Sequence, residues 1–462
     1  MIDRRVTLGY GVGDLANNLL FQLSVLYLLF FYTDVAGIAP GAVGVIFVVA
    51  RVWDAVNDPI MGIMVDRTHS RHGRARVYLR YASLPLAAAT VLLFWAPELR
   101  GGLSVAYAAV TYVIWGMLYT MISIPYASMT AELTDDPEER TRLSSVRMIF
   151  MLIGVIVVSV ATEPLSSMFA SRRTGYVTVA ATFAVLAFVL FQVCFAATGR
   201  AATGRAAGRS PGAEEPGSAA AARQTLRASF GVVVRNRPLM ILTAAFLIGA
   251  TAEYMREATI IYFVTYNMGR GGLLPLVMAV VVVAMIGGNL LIPTVARRLD
   301  KRGTFVAGTT VGVAGSIAFH LVPHTSVVAV LATAAVSSIG FTVVSTLGWA
   351  MLPDTVEYGE YVTGTRSEGV IYAVFSFSQK LATALAGGLV ALILHITAYV
   401  PNAARQTDEA LRGILGTITV VPAILITVSA LILVFYPLDR DRFARIRGEL
   451  RTRGAEARPE NA

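Results

Sequence analysis

Two carboxylates, Asp54 and Asp58, stand four residues apart within the apolar stretch Arg51-Val52-Trp53-Asp54-Ala55-Val56-Asn57-Asp58-Pro59-Ile60-Met61-Gly62-Ile63-Met64-Val65-Asp66. Arg51, Asp54 and Asp58 are spaced i, i+3, i+7, which on a helix lines them along one face. A carboxylate in a bilayer costs at least roughly 2.5–3.5 kcal/mol even on the lenient insertion scale, and two a single turn apart repel unless a cation sits between them. Such a pair suits an ion that comes and goes; the competing reading is permanent pairing with Arg51. Tyr119, Thr120 and Ser123 lie in another apolar run just before Ile124-Pro125. A proline inside a helix frees a backbone carbonyl, and hydroxyl and carbonyl oxygens added to two carboxylates make a hard-cation site. The alternative there is a kink packed for shape.

Other charges inside apolar runs are Asp14, Arg147, Glu253, Arg256, Glu257 and Lys380. Lys380 is one of the chain's two lysines, the other being Lys301 in a loop. An ammonium whose pKa responds to burial suits a role sensitive to cation or proton occupancy nearby. Glu253, Arg256 and Glu257, spaced i, i+3, i+4, either bind a polar substrate or pair among themselves. Asp14 sits near the end of the first apolar run, where solvation is expected. Asn17 and Asn18, a turn further in, offer amide donors and acceptors or act as helix-packing contacts.

The elements that must position these residues are membrane helices. Of 462 residues, 56% are hydrophobic and 15% charged, against about 25% charged in a soluble domain. About twelve runs of roughly 20 apolar residues, each able to cross the hydrocarbon core, fall near 8–33, 41–65, 77–97, 103–130, 144–163, 175–197, 239–266, 273–296, 304–322, 326–352, 367–397 and 414–436. The single cysteine, Cys194, excludes an intrachain disulfide, and no cleavable signal peptide is expected. The net charge of +9 comes from arginines concentrated in the connections, so it sets topology rather than nucleic-acid binding. Basic loops at 66–76 and 297–302, the 198–236 stretch and the tail fall on one side of the membrane if the number of spans is even, which places both termini in the cytoplasm. Arg172 and Arg173 fall on the other side.

The expected fold is all-α: twelve transmembrane helices in two six-helix pseudo-symmetric bundles, with a midplane site between repeats. The expected division is a bundle at 1–197, a low-complexity linker at 198–236, a second bundle at 237–437 and a basic tail at 438–462. Asp66 and Arg74 in the first basic loop are echoed by Asp300-Lys301-Arg302-Gly303; these are either ordinary loop charges or a latch that changes with conformation.

The chain resembles the glycoside-pentoside-hexuronide:cation symporters, the melibiose-permease group of the major facilitator superfamily. The resemblance rests on Tyr10-Gly11-Val12-Gly13-Asp14, Phe30-Phe31-Tyr32-Thr33-Asp34-Val35, the second-span stretch quoted above, Asp354-Thr355-Val356-Glu357-Tyr358-Gly359-Glu360, and Thr363-Gly364-Thr365-Arg366-Ser367-Glu368-Gly369 followed by Lys380. It implies that Asp54 and Asp58 bind the coupling cation with Thr120 helping, that Lys380 lies between cation and sugar sites, and that Arg147 contacts sugar. It also carries departures. Asn18 and Ser123 stand where melibiose permease holds sugar hydroxyls with aspartates, Ala127 replaces a tryptophan, and a further tryptophan position falls at Ser345 with Trp349 one turn on.

Taken together, the expected cation ligands are Asp54, Asp58, Thr120 and Tyr119, with sodium or a proton as coupling ion and no other cofactor. The expected substrate contacts are Asn18, Ser123, Arg147, Glu253, Arg256, Trp349 and Lys380. Coupling and gating fall to Arg51, Lys380, Asp66, Arg74, Asp354 and Arg366. The expected activity is cation-coupled symport of a sugar or glycoside by alternating access, by a monomer in the plasma membrane. The alternative is a carrier or exporter of a lysolipid-like or secondary-metabolite ligand. An enzyme is disfavoured: His-Glu-x-x-His and Gly-x-Ser-x-Gly patterns are absent, the five histidines lack metal spacing on one helix, and Gly9-x-Gly11-x-Gly13 follows no strand.

Overall fold

The computed structural model describes residues 3–68, 70, 73, 75–99, 101–134, 137–199, 233–364 and 368–456. Every regular element among them is helical: α1 (Arg4–Phe30), α2 (Pro40–Arg67), α3 (Arg76–Tyr81), α4 (Ser83–Leu93), α5 (Gly102–Leu133), α6 (Pro137–Ser167), α7 (Arg172–Ala197), α8 (Arg237–Tyr262), α9 (Leu274–Leu321), α10 (Val327–Thr363), α11 (Glu368–Ile396), α12 (Asp408–Ile418), α13 (Val420–Val434) and α14 (Arg440–Glu456). Helix starts follow side-chain capping. Asp3 accepts the Arg5 N–H, Ser171 that of Thr174 and Ser326 that of Ala329. α10 ends on Gly364 at φ +70°, whose N–H bonds Glu360 O at 2.8 Å, a left-handed cap that a side chain would strain.

Nine helical stretches among the described residues are long and apolar enough to cross a membrane. One of them, containing α9, is interrupted at Asp300, where φ is +62° and ψ −178°. The Asp300 carboxylate accepts the Gly303 N–H at 2.6 Å and restarts the helix. That break, with α2 and the α3–α4 pair, brings the crossings to twelve. Leu84, Leu103, Val185, Leu290, Val328 and Leu431 are exposed along the spans, as expected of lipid-facing positions.

The chain packs as two compact units. The first comprises Met1–Glu214, Ile260–Ala279 and Gly387–Gly413. In it α1 lies against α6 and α7, α2 against α5, and α4 against α5 and α7. The Gly9, Gly11 and Gly13 run lets α1 approach closely: a Cβ added at Gly9 would meet Ala197, at Gly11 Phe150, and at Gly13 Tyr126. Arg76, 3% exposed, closes the end of α7 by donating to Thr198 Oγ1 at 3.0 Å and to the Phe195 carbonyl.

The second unit comprises Glu215–Thr259, Val280–Ala386 and Ile414–Ala462. Its core gathers Leu239, Phe246, Phe341, Leu347, Phe375 and Ile426. Here α14 packs against α10, burying Ile446 and pairing Arg447 Nε with Glu357 Oε2 at 3.3 Å.

One element departs from the sequence expectation. The tenth span ends near 352 by hydropathy, yet α10 continues to Thr363; hydropathy marks only the membrane-crossing part, and the last turns are charged but paired. The stretch expected as a basic tail contains a helix, α14. Residues 200–232 of the expected linker lie outside the described residues.

Candidate functional site

In the first unit, α2 and α5 meet in matched register. Thr120 Oγ1 donates to Asp58 Oδ1 at 3.0 Å. One turn away Asp54, 7% exposed, faces Gly116: a Cβ built there would come 3.1 Å from Asp54 Oδ1. Spacings of four on both helices thus set Asp54 against Gly116 and Asp58 against Thr120. Gly116 supplies space for a carboxylate and Thr120 a neutral hydroxyl oxygen. Tyr119 has its ring stacked between Trp115, at 5.2 Å, and Phe21, at 5.5 Å, which stiffens the same turn of α5. Pro125 lies inside α5, so the carbonyl four residues before it lacks its usual helical donor. Among the described residues no group of three or more His, Cys, Asp or Glu is arranged to hold a metal. The chemistry present is two carboxylates supplemented by neutral oxygen.

Arg147 of α6 reaches α1. Its Nε donates to Asp14 Oδ2 at 3.0 Å, its Nη1 to Tyr10 Oη at 3.4 Å, and its guanidinium lies 4.9 Å from the Tyr126 ring centre. Asp14 is therefore not simply solvated, as its place near the helix end suggested; it is paired with an arginine 133 residues away. Asn18 Nδ2 donates to the Asp14 carbonyl at 2.9 Å. Ser123 is half-buried on α5.

In the second unit, α8 and α10 share a polar seam. Ser345 Oγ donates to Glu253 Oε2 at 2.5 Å, and Arg256 Nη2 reaches Ser338 Oγ at 3.5 Å. Glu253 and Arg256 are thus each bonded to a serine of α10. Asn289 Oδ1 accepts from Thr342 Oγ1 and Thr346 Oγ1 at 3.0 and 2.5 Å. Trp349 is exposed, with its ring edge-on to Phe375 at 4.9 Å. Lys380 is half-buried on α11, one residue after Gln379, whose Nε2 donates to Tyr254 Oη at 3.1 Å.

Of the expected gating residues, Asp354 accepts from Lys301 Nζ at 2.5 Å, tying α10 to the restart of α9. The side chains of Arg51 and Asp66, and all of Arg74 and Arg366, lie outside the described residues.

A third cluster was not anticipated. α1 passes into a π turn, Phe31–Val35, and α8 into another, Phe263–Asn267. Asp34, 2% exposed, lies in the first. Tyr399 Oη donates to Asp34 Oδ1, as does Tyr266 Oη, while Thr33 Oγ1 donates to Oδ2 at 2.6 Å and itself meets Tyr262 Oη at 2.7 Å. Asn402 Nδ2 bonds the Asp34 carbonyl. No cation pairs with Asp34 among the described residues, so hydroxyl donors, with the Asn402 backbone, offset its burial. Burial and the neighbouring Asp34 carboxylate hold the Tyr399 phenol well above the usual tyrosine range, keeping it a donor. Asp34 escaped notice because the hydropathy boundary at 33 left it just outside the span.

The family model described as "MFS/sugar transport protein" matches residues 9–440. The chain is 33% identical over 460 residues to a glucuronide carrier protein homolog of Escherichia coli (strain K12), covering 97% of this chain and 96% of that protein. It is 33% identical to an isoprimeverose transporter of Lactiplantibacillus pentosus, covering 93% and 88%, and 30% identical to a putative sulfoquinovose importer of Escherichia coli (strain K12), covering 98% and 94%. Among solved structures, a bacterial homolog of the human lysosomal transporter Spinster matches with a TM-score of 0.69 over the full length of both chains at 11% identity, a likeness of fold.

Proposed function

The chain belongs to the MFS/sugar transport protein family, a family of membrane carriers, and we propose that it moves a sugar or glycoside together with a cation by alternating access. The observation that carries the coupling is the α2–α5 register, with Thr120 bonded to Asp58 and Asp54 seated against Gly116. Empty, the two carboxylates repel across one turn. A cation that neutralises them removes that repulsion, reorganises the neighbouring pocket and raises affinity for the cargo. By linkage the cargo strengthens cation binding by the same factor. The loaded carrier then rocks its halves about the midplane.

A neutral hydroxyl beside two carboxylates is a hard-cation feature, so sodium is the proposed ion and a proton the rival. Asn18, Ser123, Arg147, Glu253, Arg256, Trp349 and Lys380 are the proposed cargo contacts. The Lys301–Asp354 pair supports the latch reading. Relatives named for a glucuronide, for isoprimeverose and for sulfoquinovose favour a sugar over the lysolipid-like or secondary-metabolite alternative. The arginine-rich connections support both termini being cytoplasmic, and the proposed setting is the plasma membrane, with the monomer as the working unit.

The test is uptake into proteoliposomes under imposed sodium or proton gradients. Asp54→Asn and Asp58→Asn are expected to abolish gradient-driven accumulation while exchange down a concentration gradient survives. Full accumulation by both variants would refute the coupling assignment. The gradient that drives the wild type identifies the ion.

A further inference from the structure

Arg256 is held but not satisfied. A guanidinium has five N–H donors in a planar fork. Here Nη2 makes one bond, to Ser338 at the 3.5 Å limit, and Nε is buried with no acceptor. The group lies 4.3 Å over the Phe341 ring, and no carboxylate among the described residues stands within ion-pair distance of it. Glu253, one turn earlier, is turned to Ser345 instead. An arginine inside a membrane protein with unused donors is costly unless an anion reaches it. Arg256 is only half-buried, so a ligand has access.

The setting narrows the anion. Phe341 packs against the guanidinium and Ser338 meets one of its terminal nitrogens, and a planar fork recognises carboxylate-type groups better than a point charge does. Along α10 the hydroxyls of Thr342, Ser345 and Thr346, with Asn289 of α9, form a neutral seam suited to sugar hydroxyls. Glu253 and Glu257 share Arg256's stretch of α8, which limits the local positive potential and disfavours a dianion such as a phosphate ester. A second intramembrane guanidinium, Arg147, is already taken by Asp14.

We propose that Arg256 is the anion-binding residue of the cargo site, so that the transported sugar carries a single carboxylate or sulfonate group. This rests on the sugar-symport reading above and narrows its substrate class.

The experiment is equilibrium binding to the purified full-length carrier in detergent with sodium present. The probes are methyl glucuronide, methyl 6-deoxy-6-sulfoglucoside and neutral methyl glucoside. One charge-assisted bidentate contact predicts that wild type binds an anionic probe about tenfold or more tighter than the neutral one. Arg256→Gln is expected to bring that ratio to about one, and Arg256→Lys, which keeps charge but loses the fork, to an intermediate value. Gel-filtration profiles monitor folding, and should Arg256→Gln aggregate, Arg256→Lys decides. The carboxylate and sulfonate arms identify the headgroup. Equal binding of charged and neutral probes by wild type, or an undiminished ratio in the well-folded variants, overturns this proposal and leaves sugar symport standing. Binding of none of the three also overturns this proposal, while sugar symport is judged separately by the proteoliposome uptake above.

Discussion

Tyr266 donates its hydroxyl to Asp34, and the two residues hold the same, fourth, place in two five-residue π turns, Phe31–Val35 and Phe263–Asn267. A π turn inserts a residue into the helical repeat and re-aims the side chains that follow. The ends of α1 and α8 thereby meet through equivalent positions. Removing one donor from a buried carboxylate costs about 1–3 kcal/mol. Tyr266→Phe and Tyr399→Phe are each expected to lower the unfolding midpoint of the detergent-solubilised carrier and to speed thiol labelling of a cysteine placed at Ala36. Unchanged midpoints and labelling in both would show that the cluster does not stabilise the junction of these two helix ends.

Gly116 makes a sharper probe of the ion site than the carboxylates themselves, because Gly116→Ala removes no charge. The added Cβ, at 3.1 Å from Asp54 Oδ1, must displace the carboxylate, since it is crowded against a short side chain on a packed helix. The half-saturating cation concentration is expected to rise about tenfold, or roughly 1.4 kcal/mol, with folding retained. Cation titration of cargo binding measures it; an unshifted titration contradicts the proposed site.

For Asp14 and Arg147 a double-mutant cycle is informative. Truncating either side leaves a partly buried charge unpaired, at about 1–3 kcal/mol given that both side chains retain some exposure. Asp14→Ala combined with Arg147→Ala should be less destabilising than the sum of the singles. Strict additivity in thermal or denaturant unfolding would mean that the 3.0 Å contact carries no coupling.

His324 lies between α9 and α10, where burial, then the neighbouring His320, holds its imidazole below the usual histidine range. The unfolded chain therefore takes up a proton before the folded one as pH falls. Stability from this group is full above about pH 6.5 and is lost as pH drops below that value toward the folded pKa. The midpoint of His324→Gln should fall less than that of wild type between neutral pH and pH 5. Parallel curves would exclude a contribution from His324.

Much of this was legible in the chain before folding. Spans of about 20 apolar residues announce themselves because lipid admits little else. The face carrying Asp54 and Asp58 follows from helical spacing alone. The partners were harder. Nothing local tells Arg147 that Asp14 lies opposite, because that choice is made by α1 packing on α6 through its glycines. Spacing left Glu253 open to a polar substrate or to pairing with Arg256, and nothing local in the chain announced its bond to Ser345. The Asp34 cluster had a faint signal, since Phe31-Tyr32-Thr33-Asp34 and Phe263-Val264-Thr265-Tyr266 repeat Phe-x-Thr across the two halves. The reach to Tyr399 and Asn402 had none.

Tyr399 is 365 residues downstream of Asp34, and this separation bears on how the chain is made. When the first helix leaves the ribosome and enters the bilayer, two phenols that will shelter its carboxylate have yet to be synthesised. Until then the acid must stay at the headgroup layer or borrow hydration from the insertion machinery. Truncated nascent chains ending before Tyr399 should consequently remain protease-sensitive around Asp34 even though every hydrophobic segment of the first half is already in place.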